Sequence, residues 1–165
     1  MNRAQRNHNP LNIRRTADQW HGARNEQTDP EFVQFESDAW GYRAAWKVLD
    51  TYAKLFRQED KPFCIRNIIA RWAPPTENDT QTYTRTVARL ACIGGNELLL
   101  PPANPRSYLK LARIIEAMTC VEGGIPMKMV NTEAVCQGYR LAFPTKSALL
   151  DRVLRGLDEY SDWSQ

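Results

Sequence analysis

Histidine is scarce in this chain. There are two in 165 residues, His8 and His21, and both lie before residue 22. The four cysteines, Cys64, Cys92, Cys120 and Cys136, are widely spaced, with no Cys-x-x-Cys pair and no histidine near them in sequence. That spacing argues against a zinc site and against a cysteine protease, whose thiol needs an imidazole partner. Each cysteine sits in an apolar stretch, so all four are expected to be small, reduced, buried hydrophobes. Gly-x-x-x-x-Gly-Lys-Ser/Thr, Gly-x-Gly-x-x-Gly, His-Glu-x-x-His and Gly-x-Ser-x-Gly are all missing. The chemistries those motifs carry have no support, and no cofactor or metal is expected. No apolar run approaches the roughly 20 residues that cross a bilayer. The basic start, Met1-Asn2-Arg3-Ala4-Gln5-Arg6, has no apolar segment behind it, so a secretory signal is not expected either. The protein is expected to be cytoplasmic when made. A net charge of +3 is too mild to imply nucleic acid as a partner, although it would help approach to anionic cell-wall polymers.

What remains fits one domain over residues 1–165, mainly helical with a small β element (α+β). Residues 1–8 are expected to be flexible. Residues 11–36 read as extended: Val33 and Phe35 alternate with Phe32, Gln34 and Glu36, and Thr28-Asp29-Pro30 supplies a turn before them. A hairpin or small sheet is predicted, with Trp20 on one face. Ser37 reads as a helix N-cap with Asp38 in the first turn. Trp40, Ala44, Val48, Tyr52 and Leu55 then follow at helical intervals and predict a buried stripe. A short helix spans Phe63 to Trp72 and must stop at Ala73-Pro74-Pro75. Asn78-Asp79-Thr80 offers cap chemistry for the next helix, Thr76 or Asn78 as the cap would place Glu77 in its first turn, and Gly94-Gly95 closes it. Pro105 to Val121 carries Leu109, Ala112, Ile115 and Met118 at helical spacing and ends at Gly123-Gly124. Thr132 to Ala142 and Lys146 to Tyr160 complete the helices.

Three carboxylates are candidate catalytic groups. Glu122 ends an apolar helix, where the negative end of the helix dipole favours a protonated carboxyl, the state a general acid needs. Its bland alternative is an exposed glutamate beside a glycine stop. Glu77 serves either as helix-start stabiliser or as base, and Glu36 is a second possible assistant. Asn9, Asn12 and Arg14 offer fixed donors to a carbonyl, an acetamido group or a carboxylate, or else Asn9 and Asn12 satisfy their own backbone. Trp20 and His21 form a candidate binding edge, because aromatic faces stack on sugar rings and imidazole can exchange protons. Arg43, Trp72, Asn78 and Tyr83 complete the candidate substrate contacts. Trp40 and Trp72 also sit on helical apolar stripes, which is a core reading.

Asn9-Pro10-Leu11-Asn12-Ile13-Arg14, Trp20-x-Gly22 and Gly41-x-Arg43-Ala44 recur with a second block, Arg71-Trp72-Ala73-Pro74-Pro75-x-Glu77-Asn78-Asp79-Thr80-x-x-Tyr83, and with Glu122-Gly123-Gly124. Together they resemble a small phage and prophage family commonly labelled phage structural protein, over residues 6 to about 142. That resemblance implies association with a virion and with other virion proteins. A weaker likeness runs to lysozyme-like glucosaminidases and lytic transglycosylases. Glucosaminidases carry an asparagine-rich turn followed by a Trp-x-Gly hairpin. Transglycosylases place an acid glutamate at the end of an apolar helix, as Glu122 is placed here, but before the hairpin and followed by Asn-Gly rather than Gly-Gly. This likeness implies a lysozyme-like fold and a peptidoglycan-acting hydrolase or lyase, with a non-catalytic virion or wall-binding protein as the alternative. Either protein would reach the wall within a virion or through another factor.

Overall fold

The computed structural model describes residues 1–156. Among the described residues seven α-helices follow one another: α1 (Arg3–Arg6), α2 (Asp38–Gln58), α3 (Ile65–Trp72), α4 (Thr80–Ala91), α5 (Tyr108–Gly123), α6 (Thr132–Ala142) and α7 (Ser147–Leu154). The expected mainly helical chain is observed. The helix expected to reach Tyr160 ends at Leu154 with Arg155 and Gly156 in a turn, and residues 157–160 of that expected span lie outside the described part.

α5 is the central helix. Leu111, Ile114, Ile115, Ala117 and Met118 are fully buried, with Ala112 and Cys120 nearly so, because apolar residues occupy almost its whole circumference. Leu109 is the exception, 51% exposed at its first turn, which corrects the stripe predicted to start there. α2 and α6 lie close together, since Gly138 presents no side chain to the backbone of Tyr42 and Arg43. Trp46 fills the space beside that contact, donates its indole N–H to the carbonyl of Val135 at 3.0 Å, and meets Tyr139 edge-on at 5.0 Å.

Trp46 marks a second correction. The face of α2 that packs deepest is Tyr42, Ala45, Trp46, Leu49, Ala53 and Phe56. Trp40, Val48, Tyr52 and Leu55 from the predicted stripe are only half-buried; Ala44 alone is enclosed. Both sets recur every three or four residues, so the helix has two apolar faces. Spacing alone does not rank them.

The predicted hairpin is replaced by two isolated antiparallel bridges, Arg14 with Phe32 and Ala23 with Phe35. The reason is where the backbone hydrogen bonds go. Asn9 is wholly buried; its amide nitrogen donates to Ile13 O (2.9 Å) and Val33 O (2.8 Å), and its oxygen accepts from Ile13 N (2.8 Å). Gln34 Oε1 takes the N–H of Thr28 and of Asp29, while Gln27 bonds the backbone of Gln34 at both ends. Side-chain amides thus occupy groups that a strand ladder would have used.

Residues 1–8, expected to be loose, contain α1. Its capping box joins Asn2 and Gln5. Arg3 grips Asp29 through two nitrogens, each at 2.7 Å, and Glu31 through a third at 2.6 Å. Ser37 does occupy the α2 cap position, but its side chain makes no cap hydrogen bond. Within the Asn78-Asp79-Thr80 block Asp79 caps α4, accepting from Thr82 N at 3.0 Å, and neither Thr76 nor Asn78 does. Among the cysteines, Cys64 and Cys120 are buried as expected and Cys136 is half-buried. Cys92 is exposed because it ends α4 in a left-handed conformation (φ 57°), so Gly94-Gly95 lies beyond the stop and does not form it.

Candidate functional site

Two asparagines from the opening segment hold the end of α5. A helix leaves its last carbonyls without intrahelical partners. Asn2 donates to Gly123 O at 2.9 Å and Asn12 to Glu122 O at 3.4 Å, while Gly124 turns the chain away at φ 61°. These contacts fix where the Glu122 side chain points.

It points into a cleft of about 340 Å³ between the opening segment, α2 and α3. Three donors converge on its carboxylate. Tyr83 OH reaches Oε1 at 2.9 Å and Trp72 Nε1 reaches the same oxygen at 3.2 Å. Asn12 Nδ2 donates to Oε2 at 3.0 Å. The amide orientation of Asn12 follows from its second contact, since a backbone carbonyl can only accept. An indole N–H can only donate. The contact set therefore suits a carboxylate that accepts at both oxygens. Burial, and then the charge and hydrogen bond of Glu122, push the Tyr83 phenol far above its ordinary pKa, so it stays a donor.

Aromatic side chains wall the cleft: Trp20, Tyr52 and Trp72, with Phe32 beside them. Tyr52 and Trp72 meet edge-on at 6.4 Å, and Arg71 lies over the Tyr52 ring at 5.3 Å. Arg14, Asp18, Glu77 and Asn78 add polar groups to its lining. Arg14 and Glu77 approach to 3.4 Å at an exposed position, where an ion pair contributes little. Two buried atoms on side chains that line the cleft have no partner, the donor Trp20 Nε1 and the acceptor Asn12 Oδ1. Asn12 also holds a left-handed backbone (φ 51°), a strained setting for a residue with a side chain.

The geometry thus gathers Asn12, Arg14, Trp20, Trp72, Glu77, Asn78 and Glu122 around one cleft, with Tyr83 bonded to its central carboxylate. It does not gather the others. Asn9 is a turn-maker with every polar atom used internally, which is the bland reading of the opening motif. Glu36 lines a shallow hollow with Arg24, Glu26 and Thr28 and shares no lining with the cleft. His21 is exposed and outside the cleft lining. Arg43 lies over the Trp40 ring at 5.9 Å, where burial lowers its pKa. Glu77 precedes α4 in the Pro74–Asn78 turn instead of entering its first turn. Tyr52, Phe32 and Asp18 also line the cleft and are not among the candidates the sequence offers; Asp18 stands two residues from Trp20, and the helical spacing of Tyr52 is a core signal.

No protein-family model matches the chain. It is, however, 39% identical over 125 residues to Protein P5 of Pseudoalteromonas phage PM2, a match covering 74% of this chain and 71% of that protein. The chain belongs to the family of this phage protein. Membership of the P5 family agrees with the expectation of a phage protein family. No described helix is long and apolar enough to cross a membrane.

Proposed function

We propose that the protein is a virion-associated, wall-binding phage protein, lysozyme-like in layout, that holds N-acetylated cell-wall glycan in the Glu122 cleft. One observation carries this reading: the unpartnered pair Trp20 Nε1 and Asn12 Oδ1. An indole N–H needs an acceptor and an amide oxygen needs a donor, and an acetamido group carries one of each, a carbonyl oxygen and an N–H. Burying either atom unsatisfied costs about 1–3 kcal/mol, so a ligand that pairs them recovers that cost. The Tyr52 and Trp72 rings offer faces for a sugar, and Arg14 on the lining suits the carboxylate of a muramic residue.

Binding ranks ahead of catalysis because all three internal contacts of Glu122 are donors. A second reading has its own support, namely that this carboxylate ends an apolar helix inside an aromatic cleft with Glu77 on its lining. In that reading Glu122 passes a proton to the glycosidic oxygen as the bond to the anomeric carbon breaks. Glu77 or the substrate acetamido oxygen then supports the cation left behind. Glu36, facing elsewhere, has no part in it.

Sedimentation with purified sacculi, followed by assay of soluble muropeptides, separates these readings. The protein should pellet with sacculi, Glu122→Gln included, and release no fragments. Fragment release that Glu122→Gln abolishes would move the assignment to the second reading. Failure of the wild type to pellet or to cleave would overturn both.

A further inference from the structure

A second cavity of about 640 Å³ shares no lining residue with the Glu122 cleft. Its apolar lining comes from Ala53 on α2 and from Pro62, Phe63, Pro101 and Ala103, with Asp60 and Lys61 at its polar side. Asp50, only 3% exposed, also lines it. Oδ2 of Asp50 takes the Lys54 ammonium at 2.7 Å, but Oδ1 is buried with no hydrogen-bond partner. A buried carboxyl oxygen without a donor is costly in such surroundings. Arg57 lies roughly two turns further along the same face of α2, about 10 Å away, and also lines the cavity. Its exposed guanidinium has no carboxylate or acceptor among the described residues. The chain entering Pro101 leaves Leu98 73% and Leu100 48% exposed, so apolar surface continues past the cavity.

We infer that this cavity docks an extended peptide segment of a partner protein, with a main-chain N–H donating to Asp50, small apolar side chains against Ala53 and Phe63, and an acidic group on Arg57. The two polar anchors are separated by about three extended residues. The volume lies within the range of roughly 300–1,000 Å³ typical of ligand sites. An acyl chain fits the apolar walls but brings no donor and leaves the Asp50 oxygen unpaired. A peptide presents N–H groups along its whole length. The inference is independent of the glycan reading.

Panning a random dodecapeptide display library on the full chain, then measuring enriched peptides by fluorescence polarisation, tests it. Enriched sequences should share small apolar residues followed by Asp or Glu. Their affinity should fall at least tenfold with Arg57→Glu and with Ala53→Trp, and hold with Glu122→Gln. If Ala53→Trp does not fold, the exposed Arg57→Glu decides alone. Absence of a shared sequence pattern, or binding that survives Arg57→Glu, would overturn the inference. So would flotation with phosphatidylglycerol vesicles that Arg57→Glu abolishes.

Discussion

The Tyr83 hydroxyl donates to Glu122 Oε1 across 2.9 Å and ties the first turn of α4 to the last turn of α5. Hydrogen bonds to charged acceptors contribute about 1.5–3 kcal/mol. Tyr83→Phe removes this one while leaving the ring in place. Its urea midpoint should correspond to a loss of that order with an unchanged slope. A loss under a few tenths of a kcal/mol would mean that Trp72 and Asn12 hold the carboxylate without it.

Acid sensitivity should centre on Asp29. Arg3 chiefly, helped by Asn7 and the backbone N–H groups of Phe32 and Glu31, holds its carboxyl well below the usual range. The folded-state pKa is depressed, so the stabilisation is complete above the unfolded value near 4 and fades as pH falls below it. Asp29→Asn should lower the thermal midpoint at pH 7 and make its decline below pH 4 shallower. Equal slopes for variant and wild type would remove Asp29 from the account.

Glu116 should act in the opposite sense. It is 7% exposed, and burial raises its pKa despite Arg113 at 3.2 Å. The folded-state pKa then exceeds the unfolded one, so stability is lost as pH rises through it. Glu116→Gln should raise the thermal midpoint at pH 7, with the gain shrinking toward pH 4. A lower midpoint at pH 7 would show that the Arg113 contact outweighs the burial.

Gly138 should tolerate nothing larger. A Cβ there would sit 2.6 Å from Tyr42 Cβ and 2.8 Å from Arg43 N, and backbone cannot swing aside as a side-chain tip can. Overpacking of this kind costs about 1–3 kcal/mol. Urea unfolding of Gly138→Ala should report a loss in that range. An unchanged midpoint would mean that α2 and α6 separate freely.

How far the sequence could be read depended on whether one local signal decided each element. Pro74-Pro75 stopped α3, Gly124 stopped α5, and α6 was found at Thr132–Ala142. Spacing does not rank the two faces of α2, because Trp40-to-Leu55 and Tyr42-to-Phe56 both repeat at helical intervals, the first reaching the cleft through Val48 and Tyr52 and the second packing into the core. Alternation around Val33 and Phe35 suggested a hairpin, since nothing in a periodicity shows that Asn9, Gln27 and Gln34 will bond the backbone. Glu122 was legible from its helix end. Trp72 and Tyr83 also bond its carboxylate, a contact that their spacing along the chain does not encode. Glu36 and His21 lie away from the cleft, a direction that residue type does not encode.

Isothermal titration with chitin tetraose and with its fully deacetylated counterpart tests the acetamido assignment most directly, using the wild type and Trp20→Phe. The acetylated sugar should bind the wild type at least fivefold more tightly than the deacetylated one, and Trp20→Phe should remove most of that preference. Equal affinities for the two sugars, or a preference untouched by Trp20→Phe, would contradict the assignment of this cleft.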